Sequence, residues 1–338
     1  MTRLITDGAE MGDMLFWTYI SDITSCTVQL VSTYGGSGVY IYQVADTPYV
    51  YKNIIELSEC YFRIRVRGDP FTRNDGVEAK HIAFYKDGTL IAHFGPDHSQ
   101  HYSFYVNGSE VAVGTPTHSD ATWYLVEGYF EMSDTSGSGI LKVNGITEIE
   151  YGGDTKPGTA TTFNRILLSG AGSGMGSPLT KWDDIALNDT SGSVDNSWCG
   201  EGRIEKLAVN DNGDLNEWTP SSGSAWQCVD DIPPNGETDY ITSRVSGQRD
   251  MFNLTAFTDT NKTIRRIWID SRAEDYAAMA SKIKVGLKTS GSVFMGAEDT
   301  LPSAYKRVAS GEFLVDPTSG KVWTKTELDA LQAVVESI

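Results

Sequence analysis

A chain of 338 residues with 45 acidic against 27 basic side chains carries a formal charge of −18. That balance excludes broad contact with nucleic acid or anionic lipid, because both are held by clustered Lys and Arg. The acidity serves solubility or supplies cation sites in acidic loops. With 40% hydrophobic residues, 11% aromatic residues and 34 glycines, the chain reads as folded and rich in short strands and tight turns. Its length exceeds what one core fills, so two domains are expected. No run approaches the roughly 18 apolar residues that cross a bilayer, and no membrane partner is expected. MTRLITDGAEMGDMLFW at the start lacks the basic region and apolar core of a secretory signal, so export by that route is not expected.

In chain order, period-two alternation marks strands at 61–68 (YFRIRVRG), 81–94 (HIAFYKDGTLIAHF), 101–114 (HYSFYVNGSEVAVG) and 123–132 (WYLVEGYFEM). Asp87-Gly88, Asn107-Gly108 and Asn144-Gly145 tolerate positive φ, which two-residue hairpin turns demand. Strands at 138–151, 163–170 and 182–189 (WDDIALND) close the first unit, and the polar TSGSVDNSWCGEG passage marks a boundary. The expected domains are therefore 1–195 and 196–338. In the second, strands are expected at 202–210, 239–245, 262–273, 281–296 and 304–314, with a loop or strand edge over Ala273 to Ala280. A helix capped by Thr324, or a strand, is expected over Lys325 to Val335. The fold class is all-β, with two β-sandwich (jelly-roll) domains.

The run from ECYFRIRVRG through WYLVEGYFEMSDTSGSGILKVNGITEIEYGGDT to FNRILLSG and WDDIALND resembles the laminin-G/concanavalin A-like lectin fold. In order and in its xxDDIxxND closure it is similar to virion proteins of tailed bacteriophages. The segment WCGEGRIEKLAVNDNGDLNEWTPSSGSAWQCVDD and the closing DPTSGKVWTKTELDALQAVVE resemble the segments on the C-terminal side of the lectin-like domain in those proteins. This resemblance implies a virion structural accessory protein, on a head or tail exterior, whose partners are other virion proteins and symmetry-related copies of itself. It also implies an alternative, a lectin-like receptor-binding protein that takes a host surface glycan.

Lectin-like sandwiches hold Ca²⁺ through loop carboxylates, so the resemblance makes Asp183, Asp184, Asn188 and Asp189 the calcium candidates. Against this, neighbours in a strand face opposite sides, so Asp183 and Asp184 are not expected to share one site. No other cofactor is implied. The carboxylate spacing of glycoside hydrolysis is missing; the nearest candidates, Glu127 with Glu131 or Glu148 with Glu150, read as solvent-face charges, and no enzyme is expected, a polysaccharide-degrading one being the lesser alternative. Asp97, His98 and His101 in GPDHSQHY read as a surface loop rather than a metal site. Sugar stacking needs exposed aromatics, and Trp218 and Trp226 in NEWTPSSGSAWQ are the candidates, with packing as the alternative. Cys26, Cys60, Cys199 and Cys228 are too widely spaced for a zinc knuckle. They read as buried thiols or, two per domain, as Cys26–Cys60 and Cys199–Cys228 disulfides.

Overall fold

The pairs Asp87-Gly88, Asn107-Gly108 and Asn144-Gly145 each close a hairpin, and in each both residues take positive φ. The angles are 47° and 88° in the first, 49° and 77° in the second, and 50° and 82° in the third. Such turns carry the right-handed twist of the strands they join, which fixes the register of both flanking strands. In a computed structural model of the chain, the described residues are 3–21, 26–29, 38–42, 48–69, 79–170, 179–236, 238–259, 261–277 and 281–338. They fall into two compact units, Met1–Glu205 and Lys206–Ile338.

The first unit contains β1 (Arg3–Asp7), β2 (Tyr19–Ile20), β3 (Cys26–Gln29), β4 (Gly38–Tyr42) and β5 (Tyr49–Leu57). Next come β6 (Glu59–Asp69), β7 (Lys80–Lys86), β8 (Thr89–Pro96), β9 (Tyr102–Val106) and β10 (Ser109–Val113). The unit ends with β11 (Tyr124–Glu131), β12 (Gly137–Val143), β13 (Ile146–Gly153), β14 (Phe163–Ser169) and β15 (Leu179–Asn188). Two antiparallel sheets result, ordered β13-β12-β11-β6-β15-β4-β3, with β1 also on β15, and β10-β9-β8-β7-β14-β5-β2. β7 to β10 and β11 to β13 pair consecutively within a sheet, whereas β5 passes to β6 in the other sheet through Ser58 alone.

The apolar half of each alternation meets between the sheets. Phe84 on β7 stacks on Phe130 on β11 with centroids 4.6 Å apart, and Phe62, Phe94, Phe104, Phe163 and Trp182 join the same buried cluster. Trp182 donates its Nε1–H to the His81 carbonyl at 2.9 Å, so its polar edge is satisfied inside the core. β1 to β5 carry no strand expectation from the sequence, although YVYKNIIEL on β5 alternates.

In the second unit, β16 (Val209–Asn216), β17 (Thr219–Pro220), β18 (Ile241–Thr242), β19 (Arg249–Leu254) and β20 (Asp270–Ala273) come first. After them come β21 (Lys282–Thr289), β22 (Ser292–Met295), β23 (Asp299–Thr300), β24 (Lys306–Ala309) and β25 (Gln332–Ser337). β16-β19-β25-β21-β22, with β23 on β21, make one antiparallel sheet, and β17-β18 and β20-β24 are two-stranded ladders. Residues 202–208, expected to be a strand, are irregular, and the strand expected over 262–273 is reduced to β20 and a bridge at Ile267. Ala273 ends β20, and positions 278–280 lie outside the described residues. The C-terminal expectation resolves into both of its forms, a one-turn helix α1 (Lys325–Asp329) and then β25. The Thr324 side chain accepts the Glu327 N–H at the helix start.

Close packing leaves no slack where a glycine faces an aromatic ring. A Cβ on Gly128 of β11 would lie 2.1 Å from the Phe62 ring, whereas one on Gly152 of β13 would meet nothing within 4 Å. Gly128→Ala is therefore expected to lower unfolding free energy by about 1–3 kcal/mol through overpacking, with Gly152→Ala near neutral. Urea unfolding of both variants checks this, and equal midpoints would contradict the packing described.

Candidate functional site

The outer face of β6 is where the acidic residues of WDDIALND act. Alternation sends Cys60, Phe62, Ile64 and Val66 into the core and Arg63 and Arg65 outward, yet both arginines are buried. A bulge in β15, between Asp183 opposite Arg65 and Ala186 opposite Arg63, puts Asp184 at a φ of 51°. Its carboxylate then receives Arg65 Nε–H at 3.0 Å and the Ile204 N–H at 2.6 Å, and its carbonyl receives Arg63 Nε–H at 3.0 Å. Arg63 also donates to the Gly200 carbonyl at 3.2 Å, and the Gly200 N–H donates to Glu127 at 2.7 Å. Residues 198–204 thus lie over the two arginines. The chain passes closely there because Gly202 has no Cβ, which would stand 2.4 Å from the Arg63 guanidinium.

This geometry decides the fate of the calcium candidates. Asp183 shares the face of Arg65, to which Asp184 is bonded, so the bulge brings both carboxylates to one side, contrary to the strand expectation. The Asp183 carboxylate accepts the Asp184 N–H at 2.7 Å. Asn188 accepts from Arg3 Nε and donates to the Ser197 carbonyl at 2.8 Å, while Asp189 accepts from the Ser191 N–H at 3.1 Å and hydroxyl at 3.0 Å. The four side chains are spent on separate backbone, guanidinium and hydroxyl partners and do not fit a shared cation. Among the described residues no group of three or more His, Cys, Asp or Glu is arranged for a metal.

The remaining carboxylates and histidines are engaged locally. Glu127 and Glu148 are not solvent-face charges: Glu127 is 9% exposed, and Glu148 pairs with His118 Nε2 at 2.9 Å with its side chain 5% exposed. Glu131 lies 3.3 Å from the Tyr129 hydroxyl, and Glu150 is exposed, so the paired carboxylates do not converge. Asp97 accepts the Ser99 and His101 N–H groups at 2.7 and 2.8 Å and sits 3.0 Å from His101 Nδ1, a self-closed turn. Burial, and secondarily His118, holds His81 down at about 3, so it is neutral beside the Tyr102 hydroxyl, 3.0 Å from its Nδ1.

Trp218 donates Nε1–H to the Gln248 carbonyl at 3.1 Å and packs on an apolar cluster of the second unit, while Trp226 is half-buried and donates its backbone N–H to Asn212 Oδ1 at 3.0 Å. The four cysteines are buried thiols and neither pairing is formed, Cys199 packing in the first unit near the Tyr61 and Ala186 carbonyls and Cys228 in the second. Trp198 is capped by the Lys142 ammonium, 3.6 Å from the ring centroid.

Single exposed rings occur at Tyr240 and Tyr276 in the second unit, but a cluster of aromatics with an exposed member lies on the outer face of the other sheet of the first unit. Alternation along β5 turns Val50 inward and Tyr49, Tyr51 and Asn53 outward, and β2 lays Tyr19 opposite Tyr51. Tyr19 stacks on Tyr51 at 5.2 Å with planes 16° apart and leans on Tyr49 at 5.8 Å, and it keeps 44% of its surface exposed. From β14, the Arg165 guanidinium covers the Tyr51 ring at 3.8 Å and donates Nε–H to Asn53 Oδ1 at 2.9 Å. Burial, then the neighbouring Tyr19 and Tyr51, raises the Tyr49 hydroxyl, which stays a protonated donor at physiological pH. Sequence reasoning ranked tryptophans and missed these tyrosines; the Y-V-Y alternation at 49–51 was the available signal.

No family model and no curated protein matches the chain. Among solved structures it is similar to a protein titled Sialidase at 12% identity and a TM-score of 0.43, over 55% of this chain and 18% of that one. It is similar to an endo-beta-1,4-glucuronan lyase from Trichoderma reesei at 14% identity and a TM-score of 0.42, over 55% and 95% of the two chains. It is also similar to alginate lyase Aly36B at 10% identity and a TM-score of 0.39, over 55% and 96%. The chain therefore spans under a fifth of the sialidase, and likenesses this distant carry no argument about activity.

Burial, with the charge of Asp184 second, raises the Asp183 carboxyl well above the usual carboxylate range. Burial raises Asp184 as well, against the Ile204 N–H and the Arg63 and Arg65 charges, so the proton of the pair resides on Asp183. The folded state keeps this proton after the unfolded chain has released its own above about pH 4, so stability falls as pH rises through that window. Asp183→Asn, which cannot ionise, is expected to flatten that slope. Thermal melts from about pH 5 to about pH 8 should show the variant gaining on the parent as pH rises, and parallel curves would refute the assignment.

Proposed function

We propose that the chain is a non-catalytic glycan-binding protein that takes saccharide on the Tyr19, Tyr49 and Tyr51 face of its first unit. The observation that carries this reading is an exposed tyrosine ring beside hydrogen-bonding groups held rigidly by the sheet. A pyranose ring has a flat C–H face and a rim of hydroxyls. Tyr19 meets the first requirement, and the Tyr49 hydroxyl, Asn53 and Arg165 meet the second. β5 lies between β14 and β2, which fixes Tyr49, Tyr51 and Asn53, and Tyr19 on the edge strand β2 is held by stacking on Tyr51, so little ordering entropy opposes binding.

Catalysis is left out of the proposal because, among the described residues, the carboxylates nearest this face, Glu56 and Asp87, are tied to Lys86, Thr162 and Asn164, and the buried His81 and His118 lie inside the fold. The host-adhesion role implied by the resemblance to phage virion proteins is the setting that suits such a face. On a particle exterior, many copies would convert weak single-site affinity into avidity.

A glycan array that includes bacterial polysaccharides tests the reading. Binding is expected to persist in chelator and to weaken about tenfold in Tyr19→Ala, an exposed position whose loss leaves the core intact. No binding to any glycan, or full binding by the variant, would overturn the proposal.

A further inference from the structure

Beyond the tyrosines, the same strand leads into a cleft. A cavity of about 630 Å³ lies where β5 ends and the β7-β8 hairpin turns, lined by Glu56, Lys86, Asp87, Thr89 and Thr162 together with Pro157. Glu56 is hydrogen-bonded to Lys86 and to the Thr162 hydroxyl, and Asp87 exchanges hydrogen bonds with Asn164, at 2.8 Å to its carboxylate and 3.1 Å from its N–H. Those contacts hold both carboxylates below their usual range, as ionised acceptors at the cleft mouth.

Arg165 joins the two regions. Its guanidinium sits on Tyr51, its Nε–H reaches Asn53, and its charge is felt at both the Tyr49 hydroxyl and the Asp87 carboxylate. Tyr51 and Glu56 are five positions apart on β5, about 16 Å of strand, with a register irregularity against β14 between Asn53 and Leu57 that breaks the alternation of faces. One sugar ring cannot touch both. A chain of rings running along β5 can stack at Tyr19, pass the Asn53–Arg165 pair, and place hydroxyls against Glu56, Lys86 and Thr162.

We propose that the ligand is an extended oligosaccharide whose one end stacks on Tyr19 while the other enters the Glu56–Lys86–Thr162 cleft. This rests on the glycan-binding reading and adds the length and direction of the ligand. The cleft supplies ionised acceptors and a cationic donor for a hydroxyl-bearing chain, and a single carbohydrate residue engages only one end.

The test uses the full chain and size-fractionated oligomers, from monosaccharide to octasaccharide, of the polysaccharide bound best on the array, with affinity read by calorimetry. Affinity is expected to climb with length and then level off. Glu56→Gln, at an exposed carboxylate, should weaken the octasaccharide about tenfold and leave the disaccharide within about twofold. Tyr19→Ala should weaken every length. If short and long oligomers bind alike and only Tyr19→Ala matters, the extended-ligand inference falls while the glycan-binding reading stands. If no oligomer binds, or Tyr19→Ala changes nothing, both fall.

Discussion

Two guanidinium groups removed from water on the outer face of β6 set the terms for the rest of the first unit. Arg63 and Arg65 are 5% and 7% exposed, and a charge so placed is costly unless every polar atom finds a partner. Asp184 meets the charge, and the bulge that aims it falls where the far-side partner of β15 changes from β4, paired as far as Trp182, to β1, paired from Ile185. The bulge in turn shifts the strand so that Asp183 precedes it and Ile185 and Leu187 re-enter the core. Packing inside the sandwich and ion pairing outside it are thus two consequences of one irregularity.

That arrangement also explains why residues 196–205 belong with the first unit. A Gly- and Ser-rich passage reads as a domain boundary because it shows no periodicity. What it contributes is backbone: the Gly200 N–H and carbonyl and the Ile204 N–H complete the partners of Glu127, Arg63 and Asp184. Main-chain donors have no residue signature, so this cover was invisible in the sequence. The same blindness produced the solvent-face reading of Glu127, whose alternation correctly put it outside the core without revealing what lies over it.

What could be read was whatever depends on side-chain period or on φ. The strands from β6 to β15 announce themselves through alternation, and the three Asx-Gly turns through the residues that tolerate positive φ. In the second unit, strands such as β17, β18 and β23 hold two residues each, too few for any period to show. The candidate binding face fell between these cases. Tyr49, Tyr51 and Asn53 alternate on β5, but their partner Tyr19 sits on a two-residue strand, and only the pairing of β2 with β5 brings the rings together.

The distribution of charge gives that face its chemical character. A net charge of −18 would repel polyanions from most of the surface, while the tyrosine face presents a guanidinium already held by an aromatic ring and an amide. Arg165 held in this way presents its remaining N–H groups in a fixed direction, and ordering it costs little when a ligand arrives. The burial that makes the β6 arginines purely structural is absent here. Tyr19 keeps 44% of its surface in solvent, against 8% for the Arg65 side chain, and that contrast separates a face built to meet a partner from one already closed by its own chain.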